Sequence, residues 1–389
     1  MEGVSDFIAD FTDFELIDIS NRKLKIGFIG FGLIGGSIAR ALKKLGNSFY
    51  LIAYDYHRDK PSADLRMALD DGVLDYITVS LDEKLPECDI IFLCAPVLSN
   101  IEYLIKLKPL IPADCILTDV GSVKGNIHTA VEELDMTAQF IGGHPMTGSE
   151  KTGYANSYAL LLENAYYILT PTDKTPKFKL DVLIKLVENI GSIPIILDPK
   201  EHDEITAAIS HLPHIIAAAL VNLIRESDDK SEKMKQLAAG GFKDITRIAS
   251  SSPKMWQNIC LTNAGVIKKI LDRYIEMLRT ASFALSELDG DYLYTMFETA
   301  GEFRNSIPNK SAGLINKVYE IYVDIIDETG AIATIATLLA NNNISIKNIG
   351  IIHNREFQEG VLHIEFYDEQ SENDAIDLLS RHNYHVYDR

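Results

Sequence analysis

Cysteine is scarce in this chain of 389 residues, and the four present, Cys88, Cys94, Cys115 and Cys260, form no Cys-x-x-Cys pair and have no histidine at metal-ligand spacing. That pattern argues against a disulfide framework and against a zinc site, so no metal is expected. Basic residues are also in short supply: 37 Lys and Arg stand against 56 Asp and Glu, a formal net charge of −19. Such a surface repels polyanions. Nucleic acid is therefore not an expected partner, and an anionic substrate has to be held by a few local cations. Long uninterrupted apolar runs are missing too. Stretches such as Ile215–Leu220 fall far short of the roughly 20 residues a bilayer span needs, and the N-terminus has no basic segment leading into an apolar one. The expectation is a cytoplasmic protein with no membrane partner.

Against those absences stand 47% hydrophobic residues, enough to fill the cores of two or three domains. Residues 1–21 carry Glu2, Asp6, Asp10, Asp13, Glu15 and Asp18 but no Lys or Arg, and read as an acidic extension. From Lys23 the pattern becomes a buried strand (Leu24–Ile29), a Gly-rich turn, a helix with an apolar face of Ile34, Ile38, Leu42 and Leu45, and a second strand, Phe49–Tyr54, ending at Asp55. Apolar runs at Asp89–Ala95 and Cys115–Val120, separated by a helical stretch, extend a βαβ alternation. The sheet is expected to continue through Ala165–Leu169 and Ile193–Leu197 and to end near Pro199. The predicted fold class is thus α/β, with a Rossmann-type parallel sheet domain over 22–199.

Beyond Pro199 strand signals stop. Helical periodicity covers Ile205–Ile224, Met234–Leu237, Trp256–Leu278 and Tyr292–Phe303, an all-helical second domain over 200–312. Its small-residue run Ala217-Ala218-Ala219 permits close helix packing, including across a homodimer. Ile307–Gly313 reads as a linker. The remainder, 317–389, spells βαββαβ, with strands at 318–326, 344–352, 360–366 and 384–387 and helices at 330–341 and 371–382, a small α+β module.

Gly30-Phe31-Gly32-Leu33-Ile34-Gly35 follows a strand and opens a helix, the context that makes a Gly-x-Gly-x-x-Gly match specific for a dinucleotide. Gly30 permits the tight turn, Gly32 lets the backbone approach a pyrophosphate, and Gly35 lets the helix pack on the strand, while the helix N-terminus offers free N–H groups. Asp55 lies 25 residues after Gly30, where a carboxylate accepts from ribose hydroxyls and repels a 2′-phosphate. NAD is favoured, although His57 and Arg58 leave a route to NADP. Ala95-Pro96, at the end of another strand, either borders the cofactor or simply terminates the strand.

The second constellation is Gly142-Gly143-His144-Pro145-Met146-Thr147-Gly148-Ser149, followed by Glu150. It puts an imidazole on a Gly-bracketed loop, and a histidine is suited to accept a proton near neutrality during oxidation of an alcohol. Asp119-Val-Gly-Ser-Val-Lys124 ends a strand. Its Ser122 either hydrogen-bonds His144 or the cofactor, or caps the following helix. In Ser210-His211-Leu212-Pro213-His214 the proline either aims both imidazoles at an interdomain cleft or marks a kink whose freed carbonyls polar groups satisfy. Arg247, four residues beyond Lys243 and three beyond Asp244, is either a carboxylate binder or one side of an exposed helical ion pair.

These stretches together resemble prephenate dehydrogenases: Gly-Phe-Gly-Leu-Ile-Gly-Gly-Ser at 30–37, Asp-Val-Gly-Ser-Val-Lys at 119–124, the His144 segment at 142–150, Ser-His-Leu-Pro-His at 210–214 and Gly-Phe-Lys-Asp-Ile-Thr-Arg-Ile-Ala at 241–249. The tail from Val318, with Asp-Glu-Thr-Gly at 327–330 and Ile-Ser-Ile-Lys-Asn at 344–348, is similar to an ACT module. The resemblance implies NAD-dependent oxidative decarboxylation of prephenate to 4-hydroxyphenylpyruvate. It also implies His144 as proton acceptor, Ser122 as its orienting partner, Arg247 and His214 as carboxylate binders with His211 nearby, and Ser149 and Glu150 at the pocket entrance. For the tail it implies tyrosine feedback around Gly330 and Asn348, against which stands a purely structural role in oligomerisation. An arogenate dehydrogenase would share the same motifs. A non-catalytic amino-acid sensor is the alternative of another kind, and the intact His144, Arg247 and glycine turn argue against it.

Overall fold

The computed structural model describes residues 23–57, 61–149, 151–307, 319–325, 330–352 and 360–387. The acidic extension, Arg58, Glu150 and the linker residues 308–313 lie outside the described residues. The chain divides into two compact units, 1–311 and 312–389.

The first unit is built on eight strands: β1 (Leu24–Ile29), β2 (Phe49–Tyr54), β3 (Tyr76–Thr78), β4 (Ile90–Leu93), β5 (Ile116–Asp119), β6 (Phe140–Pro145), β7 (Tyr166–Pro171) and β8 (Ile193–Ile196). They are ordered β3-β2-β1-β4-β5-β6-β7-β8. Interleaved are helices α1 (Leu33–Lys44), α2 (Ala63–Asp70), α3 (Val97–Leu107), α4 (Gly125–Glu133) and α5 (Lys177–Asn189). Helices on both faces explain why these strands read as continuous apolar runs and not as alternating ones. On one face Ile26, Phe28 and Phe92 pack with Ile38 and Leu42 of α1; on the other, Ile29, Ile91 and Leu93 pack with Leu104 and Leu107 of α3.

The sheet differs from the all-parallel expectation at one place: β7 runs antiparallel to β6, with Gly142 opposite Thr170 and His144 opposite Ile168. An antiparallel neighbour needs no crossover helix, and the described residues between them make two short 3-10 turns, Tyr154–Asn156 and Ala159–Leu162. The three-residue edge strand β3 was too short to leave a pattern in the sequence.

The helical part begins with α6 (Pro199–Thr206), a π-helical turn at Ala207–His211 and α7 (Leu212–Ser227), which form one continuous rod. Pro213 was expected to kink or break this helix. Instead the turn before it widens, with the Leu212 N–H reaching the Ala207 carbonyl five residues back. By length and composition alone the 29-residue rod could cross a membrane, contrary to the expectation drawn from short apolar runs. Its first turns, however, carry the buried His202 and Asp203, hydrogen-bonded into the sheet domain. Four more helices follow, α8 (Lys233–Leu237), α9 (Gly240–Thr246), α10 (Pro253–Thr262) and α11 (Ala264–Glu287), then α12 (Gly290–Ser306). The expected single helix over 256–278 is interrupted at Asn263, whose amide donates to the Asp203 carbonyl (3.0 Å) and to His211 Nδ1 (3.3 Å).

The second unit has the expected βαββαβ order: β9 (Tyr319–Ile325), α13 (Ala331–Asn341), β10 (Ile346–Ile352), β11 (Gly360–Phe366), α14 (Glu369–Arg381) and β12 (Val386–Tyr387). The antiparallel sheet is ordered β10-β11-β9-β12, over a core of Ile321, Val323, Ile335, Leu339, Leu362 and Leu379. Glu320, His363 and Glu365 bring three potential cation-ligand atoms within 4.8 Å of one another on adjacent strands, a grouping that sequence spacing does not reveal. Gly330, at φ +97°, precedes α13, and Asn348 is exposed at an irregularity in the β10–β11 register.

Candidate active site

The glycine turn is shaped for a dinucleotide. Gly30 adopts φ +86°, and a Cβ there would lie 2.6 Å from the Ala95 backbone nitrogen, so neither the conformation nor the space admits a side chain. Gly32 precedes α1 and faces open space, Leu33 and Ile34 form its first turn, and Gly35 is buried against the Gly30 carbonyl. Among the described residues, the first turn of that helix holds no acidic residue and has no side-chain cap, which leaves its N–H groups for a phosphate. Beside it opens a cleft of about 470 Å³, lined among others by Gly30, Asp55, Ala95, Pro96, Ser99 and Tyr103. Ala95 and Pro96 line this cleft, and Pro96 directly precedes α3.

Asp55 is 2% exposed. Its carboxylate accepts from the His57 N–H and His57 Nδ1, both at 2.9 Å, and from the Ser62 N–H at 2.5 Å. Burial alone would raise its pKa, but these donors outweigh it and hold the group below the usual carboxylate range. A charged acceptor at the end of β2 fits an adenosine ribose. These residues suit NAD.

The carboxyl ends of the strands form the edge on which the remaining chemistry gathers. Ile29 pairs with Leu93 and Leu93 with Asp119, so Gly30, Cys94 and Val120 follow side by side. Next to them the Gly143 N–H donates to Asp119 Oδ1 at 3.1 Å, and a Cβ on Gly143 would come within 2.5 Å of the Asp119 carbonyl oxygen. That approach explains the glycines before His144 more directly than a loop does, since His144 lies on strand β6 and not on the expected loop. Lys124, fully buried, forms an ion pair with Asp119 and donates to the Gly143 carbonyl at 2.8 Å, which fixes the backbone one residue before the histidine.

His144 is half-buried. Its Nδ1 lies 2.8 Å from His202 Nε2, and His202 Nδ1 lies 2.8 Å from Asp203 Oδ1. Asp203 also accepts the backbone N–H groups of Lys124 (2.7 Å) and Gly125 (2.8 Å), and so caps α4 from another helix. Burial pushes the pKa of His144 well below that of a free imidazole, helped by His202, the Lys124 ammonium and His211. Burial lowers His202 as well and, with the Lys124 ammonium, outweighs the raising effect of Asp203 and Asp119. Burial would raise Asp203, but the His202 ring and the two N–H donors lower it overall. Near neutrality the row is two neutral imidazoles ending on a carboxylate.

Ser122 makes no hydrogen bond to His144 and does not cap α4 among the described residues; His202 and Asp203 take those two positions. In the helical part, His214 donates from Nδ1 to the Ser210 carbonyl (2.8 Å) and stacks on Trp256 with 3.7 Å between ring centroids. Burial and the neighbouring charge of Arg247 lower its pKa. Arg247 is exposed and opens a 3-10 turn, Arg247–Ser250, directly after α9. His211 departs from the expectation that both imidazoles face a cleft: it is buried beside Trp256, its pKa is depressed to about 4 by burial, and its Nε2 has no hydrogen-bond partner among the described residues. It is the last residue of the π turn. Ser149 is exposed, its Oγ accepting from the Lys151 N–H at 3.2 Å.

Sequence reasoning missed Lys124, His202, Asp203 and Asn263 as parts of one network. Lys124 stood inside a motif already singled out. Glu201-His202-Asp203-Glu204, by contrast, reads as a solvated first helical turn, and only the fold shows that two of its four residues point inward.

Comparison with known proteins agrees with this geometry. Residues 38–196 match the family model of the prephenate dehydrogenase nucleotide-binding domain and residues 198–299 that of the prephenate dehydrogenase dimerization domain. A prephenate dehydrogenase of Bacillus subtilis is 39% identical over 361 residues, 92% of this chain and 95% of that protein. Among solved structures, prephenate dehydrogenase from A. aeolicus in complex with hydroxyphenyl propionate and NAD+ is 31% identical with a TM-score of 0.69, covering 74% of this chain and all of that one. Synechocystis arogenate dehydrogenase is 30% identical with a TM-score of 0.65, covering 73% of this chain and 100% of its own. With its glycine turn, its edge-mounted histidine and these matches along most of its length, the chain belongs to the prephenate dehydrogenase family.

Proposed function

We propose that His144 is the proton acceptor in the family's reaction, the NAD-dependent oxidative decarboxylation of prephenate to 4-hydroxyphenylpyruvate. The observation that carries this reading is a half-buried imidazole on the same sheet edge as the glycine turn, pinned through Nδ1 and held neutral. NAD, when bound, takes up the hydride that leaves C4 of the substrate ring. His144 receives the proton of the C4 hydroxyl as that carbon becomes a carbonyl, and loss of the ring carboxylate as CO₂ leaves an aromatic product. Lys124 and Asp119 hold the backbone beneath His144.

Arg247 binds a substrate carboxylate, for which a planar guanidinium is suited. His214 has already committed its Nδ1–H to Ser210, so it can donate to a second carboxylate only through a protonated Nε2. A bound dianion favours that proton. Ser149 and Glu150 line the entrance, and Ser122 contacts the nicotinamide end. His211 supports Asn263 and Trp256 from the interior. The helical part forms a homodimer, in keeping with its match to a dimerization domain. The βαββαβ module is an ACT domain that senses tyrosine, with Gly330 and Asn348 at the ligand positions. The enzyme works in the cytoplasm, where this biosynthesis draws on NAD.

The test is NAD reduction followed at 340 nm with prephenate and, separately, with arogenate, then with tyrosine added. Turnover on prephenate is expected; turnover on arogenate alone would replace the substrate and keep the base. His144→Asn should lower kcat by roughly 10²–10⁴-fold with NAD binding retained, and a near wild-type kcat would require another base. The pH profile has a definite sign. Only neutral His144 accepts a proton, and its pKa is lowered, so kcat/KM should hold as pH falls through the ordinary imidazole range and drop only below it.

A further inference from the structure

The hydrogen-bond row behind His144 has a direction. Asp203 is 6% exposed, and its oxygens face three donors, two of them backbone N–H groups at the N-terminus of α4, where the helix dipole also favours negative charge. An ionised carboxylate only accepts, so the His202 nitrogen facing it, Nδ1, carries a hydrogen. A neutral imidazole has one N–H, which leaves His202 Nε2 a bare acceptor. The nitrogen that meets it at 2.8 Å, His144 Nδ1, must then be the donor. By the same count His144 Nε2 holds the lone pair, and among the described residues nothing hydrogen-bonds it.

We propose that His202 and Asp203 are positioning residues that fix the tautomer of His144, so that Nε2 is always presented to substrate as a proton acceptor. The proposal rests on the reading of His144 as the base and adds what makes it one: with the opposite tautomer the ring would offer the substrate hydroxyl an N–H and could take no proton. During turnover the substrate O–H bond breaks, its proton joins His144 Nε2, and its electron pair becomes the new C=O bond as C4–H departs with two electrons to NAD. The imidazolium so formed keeps its Nδ1–H on His202, and Asp203 stabilises the charge two links away. The other groups facing this row are the Lys124 ammonium from the start of α4, its Asp119 partner at the end of β5, and His211 from the π turn. Lys124 and His211 disfavour protonation of the resting His144; Asp203 sits where it offsets them once the proton arrives. The same logic holds a catalytic imidazole in a Ser-His-Asp triad, with one more imidazole inserted here.

His202→Leu and His202→Gln in the full-length chain test the idea, because the glutamine carbonyl can still accept from His144 Nδ1 whereas leucine cannot. Leu should lower kcat by about 10²-fold or more while KM for prephenate and for NAD changes little, and Gln should recover at least about tenfold of that loss. A folded His202→Leu enzyme with kcat within about threefold of wild type would overturn the proposal. Should the leucine variant not fold, the wild-type enzyme decides by itself: ¹⁵N NMR of histidine-labelled protein, assigned with His144→Asn and His202→Gln, should show both rings neutral and protonated at Nδ1. An Nε2–H tautomer at His144 sinks the relay. Activity of His144→Asn judges the base and the tautomer judges the relay, so the two can fail separately.

Discussion

The sheet part and the helical part of the first unit use similar apolar side chains and end differently. Phe28, Phe92 and Phe140 are 0% exposed, enclosed between helices on both faces of the sheet, whereas Phe283, Phe297 and Phe303 stand 66%, 71% and 72% exposed on α11 and α12. Isolated surface hydrophobics are ordinary, but several large ones on two consecutive helices mark a surface made to be covered. The sheet part finishes its own core. The helical part leaves these rings uncovered among the described residues, and it is the part that matches a dimerization domain, so the proposed homodimer puts its interface here.

The largest expected effect comes from breaking the helical side. Phe283→Glu places a charge on the face to be covered, where an uncompensated carboxylate is costly, and dimer dissociation should become easier by on the order of a hundredfold or more. Light scattering across a concentration series measures it. A wild-type chain that is monomeric at micromolar concentration would remove the contrast altogether. On the sheet side, Phe92→Ala opens a void next to Phe28, whose ring stacks on it at 5.5 Å. It should cost about 3–5 kcal/mol. The two losses should differ in kind: melting of the Phe283 variant should depend on protein concentration less than that of the wild type, while the Phe92 penalty should be the same at every concentration.

The same contrast sets what the sequence could disclose. The glycine turn, α1 and Asp55 occupy a short, contiguous window in which strand, turn and helix follow in order, so periodicity and spacing suffice to place them. The direction of β7 was hidden because alternation carries a period and no sense. The network of Asp119, Lys124, His144, His202, Asp203 and Asn263 draws on residues up to 144 positions apart in the chain, from 119 to 263, and each is unremarkable in its own neighbourhood. The helix is interrupted at Asn263, whose amide reaches Asp203 and His211, and partners 60 and 52 residues away are not visible in the helical periodicity of 256–278. Likewise an amphipathic pattern says that α11 has an apolar face and is silent on whether the cover is this chain or its copy.

The smallest expected effect sharpens the comparison at the cofactor. If the sheet part is complete alone, NAD should bind Phe283→Glu monomers as it binds the dimer, and changes at Asp55 should read the same in both. Asp55→Ala is a blunt probe, because it also deletes the acceptor that ties down His57 and Ser62. Asp55→Asn keeps an acceptor for a ribose hydroxyl and removes only the charge. Since the carboxylate is held ionised by its donors, it opposes a 2′-phosphate throughout the neutral range, and that opposition should vanish in the amide. The ratio of kcat/KM for NAD over NADP should therefore fall by about tenfold, about 1.4 kcal/mol. An unchanged ratio would mean that charge at β2 does not discriminate the two nucleotides. A ratio that shifts in the dimer and not in the monomer would show that the helical copy reaches the nucleotide site, and the sheet part would no longer count as self-sufficient.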